Sequence, residues 1–270
     1  MFSGCVADGE PDLKSEDIPL VVEGWIEDGN SPLVMVTHAV DLTDNAPSFD
    51  NFVERWCRVS IYDGNERYLL TARMNEAYIT SLVFTNSRLK GKAGHSYRLV
   101  VESDDRTVCA NVAMPPKAPR ITLVPEKIKG DDSSYRLRAY IDDTETSRYL
   151  KFFIKVIPED VRYYPSFLGT VDTQSGTAKE GVILTKGKRA EINPEDASSF
   201  SHYFKSGDRV MVKCCSLDEA MYDFWRIYDA NVSLSENMFF SYGANLPTNI
   251  DNGLGYFAAY SITEAVTTIP

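Results

Sequence analysis

"HSYRLVVESDDRTVCANVAMPP", residues 95–116, decides how this chain folds. Tyr97, Leu99 and Val101 alternate with polar neighbours, the chain turns at Asp104 and Asp105, and Val108, Ala110 and Val112 repeat the alternation on the way back. An apolar side chain at every second position puts one strand face on a core and the other toward water. Two such runs around an Asp-rich turn predict an antiparallel hairpin.

The same period extends upstream. "RWCRVSIYDG" (55–64) places Cys57, Val59 and Ile61 on one face, and "PLVVEGWIEDGNSPLVMVTHAV" (19–40) is two runs around an Asp-Gly-Asn-Ser-Pro turn. From Ile18 to about Val112 the turn spacing predicts a sandwich of about seven short strands. "MPPKAP" (114–119) then brings three prolines, which cannot donate ladder hydrogen bonds and favour an extended connector. The expected organisation is a tether over 1–16, a β-sandwich over 17–118 and a β-rich second domain over 119–270.

In the second half, "SYRLRAYIDD" (134–143) and "YLKFFIKVI" (149–157) read as strands. Asn193-Pro194-Glu195 suggests a short helix toward Phe204, with Asn as cap and Pro at the first helical position. "GDRVMVKCCSLDEAMYDFWRIYDA" (207–230) predicts a strand over about Arg209 to Ser216 and then a helix with Ala220, Phe224, Ile227 and Tyr228 on one stripe. "LGYFAAYSIT" (254–263) reads as the last strand. The expected fold class is mainly β, with one or two helices in the second half.

The chain has 270 residues, enough for two cores, and 43% hydrophobic against 25% charged residues, a globular balance. Its 28 Lys and Arg face 39 Asp and Glu, for a net charge of -11. So acidic a chain lacks the basic footprint that nucleic-acid affinity requires, and nucleic acid is excluded as an expected partner. No apolar run reaches the roughly 18 residues of a membrane-spanning helix.

Of the five cysteines, Cys5 follows Phe2, Ser3 and Gly4, which resemble the end of a bacterial lipoprotein signal. On that reading an apolar leader has been removed, and Cys5 carries a diacylglycerol on its thiol and an acyl chain on its amine. Each buried methylene contributes about 0.8 kcal/mol, so two or more chains anchor stably where one is marginal. "VADGEPDLKSED" (6–17) is polar and aperiodic, and reads as a flexible tether. Cys57, Cys109, Cys214 and Cys215 have no zinc spacing. Cys214 and Cys215, adjacent in a strand, point to opposite faces, while a Cys57–Cys109 bridge stays open in an oxidising compartment.

With these pieces in place the chain resembles the bacterial lipoproteins grouped as domain of unknown function 4249. The resemblance rests on "LVVEGWIEDG" (20–29), "VCANVAMPP" (108–116), "GDRVMVKCCSLDEAMYDFW" (207–225) and "NIDNGLGYFAAYS" (249–261), in that order. It implies an immunoglobulin-like or transthyretin-like first domain, an outer-membrane lipoprotein acylated at Cys5, and association with a TonB-dependent receptor. Phe2 stands where such signals usually carry Leu. The resemblance brings no catalytic residues.

The residues themselves offer little chemistry. His38, His95 and His202 are far apart, with no partner at metal-ligand spacing, so no metal or cofactor is expected. His38 shares a face with Val34, Val36 and Val40 and reads as a satisfied, half-buried histidine. The pairs Asp104-Asp105, Asp131-Asp132 and Asp142-Asp143 lie in turns, and "KGDDSS" and "IDDTET" lack the alternate oxygen ligands of a calcium loop. No G-x-S-x-G, Walker or H-E-x-x-H motif occurs. "RYYPSF" (162–167) sets Tyr163, Tyr164 and Phe167 in an expected loop, a candidate ligand-binding element, although such rings more often fold back onto a core. The expected function is a non-catalytic, lipid-anchored outer-membrane binding or accessory protein. The alternatives are a surface glycan-binding lipoprotein and a hydrolase with carboxylates between the domains.

Overall fold

Residues 18–39, 52–187, 201–234 and 246–270, apart from positions 79, 105, 144 and 146, are described by the structure, a computed structural model. Cys5 and the tether lie outside these residues. So does most of the expected helix after Asn193, whose expected end, Phe204, belongs to a strand.

In chain order the strands are β1 (Leu20–Glu27), β2 (Leu33–His38), β3 (Arg58–Asp63), β4 (Glu66–Leu69), β5 (Thr71–Met74), β6 (Leu82–Thr85), β7 (Ser96–Ser103), β8 (Arg106–Ala113), β9 (Ile121–Ile128), β10 (Asp131–Ile141), β11 (Tyr149–Ile157), β12 (Tyr164–Asp172), β13 (Val182–Leu184), β14 (Phe204–Lys205), β15 (Arg209–Leu217) and β16 (Leu254–Thr268). Among the described residues the helices are α1 (Gly176–Glu180) and α2 (Glu219–Leu234). The fold is mainly β. One eight-stranded sheet has the order β12-β11-β15-β16-β1-β2-β6-β5, and two four-stranded sheets, β4-β3-β7-β8 and the β9/β10/β13/β14 group, accompany it.

The hairpin that decides the fold is β7–β8, paired from Ser96↔Ala113 to Ser103↔Arg106. Its apolar set, Tyr97, Leu99, Val101, Val108, Ala110 and Val112, is buried, and packs against Leu20, Val22, Ile26, Val34 and Val36 of the large sheet. A second core joins Leu137 and Ala139 of β10 to Leu150, Phe152, Ile154, Val210 and Val212 of the same large sheet.

The strand shared by both cores is β16. Its first part runs parallel to β1, from Val21↔Leu254 to Glu27↔Tyr260, and its second part runs antiparallel to β15, from Ser216↔Ser261 to Arg209↔Thr268. Phe257 and Ala259 enter the first core and Ala265 packs on the second. These are all odd positions, so both cores stand on one face of one continuous sheet. The expected boundary at residue 118 falls between β8 and β9, and β16 runs through both cores.

The proline connector runs across this inner face, held by its carbonyls. Ser261 donates to Pro115, Ser216 to Lys117 (2.9 Å) and Thr263 to Ala118 (3.2 Å). Outside a ladder the connector's carbonyls have no strand partners, and hydroxyls of the sheet donate to them.

The opposite face of the large sheet carries α2. Met221, Phe224 and Trp225 are buried there against Cys215, Tyr256, Ala258 and Tyr260. The stripe expected through Ala220 is rotated: Ala220 is exposed, and the buried line runs Met221, Phe224, Trp225 and Asp229. A buried aspartate in that line misaligns any reading by hydropathy. Cys214 and Cys215 are both buried, the first in the second core and the second under α2, as opposite faces of one strand require. Cys57 and Cys109 are free thiols rather than a bridge, Cys109 lying 3.5 Å from Asp251 Oδ2.

Candidate functional site

Between α2, the outer face of the large sheet and the segment entering β12 lies a cavity of about 380 Å³, within the size range of small-ligand sites. Its floor comes from alternation. On β1, Leu20, Val22 and Ile26 face the core, so Glu23, Trp25 and Glu27 face the cavity. On β16, Phe257 and Ala259 face the core, so Tyr256 and Tyr260 face the cavity. Phe153 of β11, Lys213 of β15 and Trp225 of α2 contribute to the wall.

Two of its charged groups, Lys213 and Glu27, pair with each other. Lys213 Nζ contacts both oxygens of Glu27, at 2.7 and 2.9 Å, bridging β15 and β1 across β16. The same ammonium lies 4.3 Å from the centre of the Tyr163 ring, and Tyr163 donates to Glu264 Oε1 at 2.8 Å. Tyr256 donates to Glu23 Oε1 at 3.1 Å. Burial raises the Glu23 carboxyl above its ordinary value of 4.5, opposed by that hydrogen bond and by the Arg162 charge. The Arg162 guanidinium lies 4.6 Å from the centre of the Tyr164 ring and 5.0 Å from that of Tyr78, cation–π distances that orient the cation. Burial pushes the Tyr78 hydroxyl up to about 12. Trp225 Nε1 donates to the Tyr260 hydroxyl at 3.1 Å.

Tyr163 and Tyr164 both line this cavity; Phe167 does not, and instead packs 5.5 Å from His202. The expected loop is also corrected: Tyr164 and Phe167 belong to β12, and Tyr164 is buried. "YPSF" extends because Tyr164 pairs with Ile154, and Pro165, which lacks a donor, sits opposite Phe153 beside a register shift. Sequence reasoning missed Glu23, Trp25, Glu27, Lys213, Tyr256 and Tyr260. Its available signal was "EGWIE", where the strand face turned from the core reads acid, Trp, acid.

The three histidines are satisfied separately: His38 by Glu54 (2.9 Å), His95 by Asp63 (2.9 Å) and His202 by the Lys186 carbonyl (3.1 Å). No cluster of metal-ligand type occurs among the described residues. No helix among them is long and apolar enough to cross a membrane.

A two-core β protein with a helix-capped aromatic cavity on its outer face is thus the class that fold and site define. The chain belongs to the family described as Domain of unknown function (DUF4249), which matches residues 8–265. No curated protein matches it. Among solved structures it is similar to the chicken CNTN1 FN1-FN3 domains, at 9% identity over 73% of this chain and 60% of that one, with a TM-score of 0.26. It is also similar to the human OSCAR ligand-binding domain, at 12% identity over 74% of this chain and 90% of that one, with a TM-score of 0.20. The chain thus spans about three-fifths of the CNTN1 structure.

Proposed function

We propose that the protein is a non-catalytic binding or accessory module, held at the outer membrane by an acylated Cys5, and that the aromatic cavity is where it engages its partner. The observation supporting binding over catalysis is that both carboxylates lining the cavity are engaged, Glu27 with Lys213 and Glu23 with Tyr256. The carboxylate pair of a glycosidase works across about 5–9.5 Å. Glu23 and Glu27 are four residues apart on one strand, which separates their backbones by about 13 Å.

The partner class is a TonB-dependent receptor, as the family resemblance implies. Acylated protein captured from its own membranes is expected to bring down a receptor-sized outer-membrane protein. Tyr164→Ala, which removes the ring under Arg162, should lower that yield several-fold. Recovery of no such protein contradicts the accessory role.

A second reading, surface glycan binding, is supported by the rings of Trp25, Tyr163 and Tyr164 standing beside carboxylates. Such rings offer apolar faces to sugars while carboxylates accept their hydroxyls. If it is correct, titration with outer-membrane oligosaccharides gives binding that Tyr164→Ala abolishes, with no receptor recovered.

A further inference from the structure

We infer that Trp56 is an interfacial membrane contact, and that the end of the first sandwich bearing it rests on the lipid surface. The inference builds on the anchoring reading and adds an orientation to it. Trp56 is 90% exposed, the most exposed large apolar side chain among the described residues. A tryptophan left in water has no folding role to offset its exposed area, whereas at a bilayer interface its amphipathic ring is favoured.

Its position is what selects a membrane. Val21 of β1 pairs with Thr37 of β2, and Thr37 bridges to Val53, so the segment leading to Trp56 runs two strand spacings, about 10 Å, from the start of β1. Glu54 N–H donates to the Val36 carbonyl, and residues 54–57 then carry the chain to β3, whose first residue, Arg58, pairs with Glu102 near the β7–β8 turn. Arg106, just past that turn, donates to the Ile18 carbonyl at 2.5 Å. The tether therefore leaves from the same end of the sandwich as Trp56. Fully extended, the chain from Cys5 to Ile18 reaches at most about 45 Å, which keeps this end near whatever surface holds Cys5.

Arg55 and Arg58 flank Trp56 in sequence, and the Arg58 side chain, 3.8 Å from Glu102, is still 62% exposed. Basic groups beside an interfacial tryptophan suit phosphate headgroups, while the chain's net charge of -11 disfavours a strongly anionic surface. The partner this end fits is therefore a largely zwitterionic bilayer. β1 then rises from it, placing Glu23 to Glu27 about 10–23 Å beyond Leu20, with the second core farther out along β16.

The test uses acylated protein in phosphatidylcholine vesicles whose acyl chains are brominated near the headgroup, a short-range quencher of tryptophan. The fluorescence should lose the share of one of the three tryptophans, and Trp56→Phe should show no loss. Trp25 and Trp225 face the cavity and should be unaffected. A second arm replaces residues 1–5 by a hexahistidine bound to nickel-chelating lipid, so that tethering no longer depends on acylation. Quenching confined to Trp56 in that arm supports the orientation even if natural Cys5 proves bare. Tethered protein that bromine leaves unquenched, or equal quenching in Trp56→Phe, overturns it.

Discussion

Asp229→Ala is expected to destabilise the protein by about 3–5 kcal/mol, the cost of leaving one partner of a buried ion pair alone. Lys151 is wholly buried, and its ammonium contacts Asp229 Oδ1 at 2.7 Å and Oδ2 at 2.9 Å and the Ser166 carbonyl at 3.3 Å, 5.0 Å from the centre of the Trp225 ring. Thr170 adds a hydroxyl donor to Asp229 Oδ2 at 2.6 Å. Burial lowers the Lys151 pKa, and the neighbouring carboxylate opposes that fall. Without Asp229 the main opposition to that fall is gone, and the lysine must ionise without a paired carboxylate or lose its proton. Because Asp229 lies on α2 and Lys151 on β11, the loss falls on the helix that walls the cavity. The double variant Lys151→Met/Asp229→Leu should recover most of the stability, since apolar pairs commonly match buried ion pairs. Denaturant midpoints measure both, and a loss below about 1 kcal/mol for Asp229→Ala would contradict this role.

A larger effect is expected from Gly255→Ala, which should leave the protein unable to fold to a soluble form. Gly255 has φ +97, and a Cβ there would lie 2.0 Å from the Val22 carbonyl oxygen and 3.0 Å from the Val22 nitrogen. Val22 cannot retreat, because β1 is bonded to β2 on its other side. Backbone strain of this kind costs about 1–3 kcal/mol, and the steric overlap with a fixed strand carries the total beyond about 4–5 kcal/mol, the exceptional range. The strand affected is also the one both cores share. Gly94→Ala is the control: its φ is +80 but nothing lies within 4 Å, so strain alone applies and soluble expression should persist. Equal yields from both variants would refute the steric argument.

Elements with one buried face were legible in the sequence. Tyr97, Leu99 and Val101 declare β7, and β15 was read to within a residue of its end at Leu217. The α2 stripe was misaligned because its inward line contains Asp229, whose partner Lys151 lies on a strand 78 residues earlier. The sharing of β16 was hidden for a similar reason. Its alternation shows a strand, but parallel pairing with β1 joins residues more than 200 positions apart, and no local pattern encodes that choice. The cavity follows from it: Glu27 and Lys213 meet only because both flank β16. The adjacent aromatics Tyr163 and Tyr164 mark part of the wall without its other members.

The central claim is that this body is held to a bilayer through Cys5, and the most direct measurement is the mass of the amino-terminal peptide of protein taken from its native membranes. The account predicts a peptide that begins at Cys5 and carries the added mass of a diacylglycerol and an amide-linked acyl chain, with Cys5→Ser protein released to the soluble fraction. A bare Cys5 thiol, or Cys5→Ser protein that stays with the membranes, would contradict it.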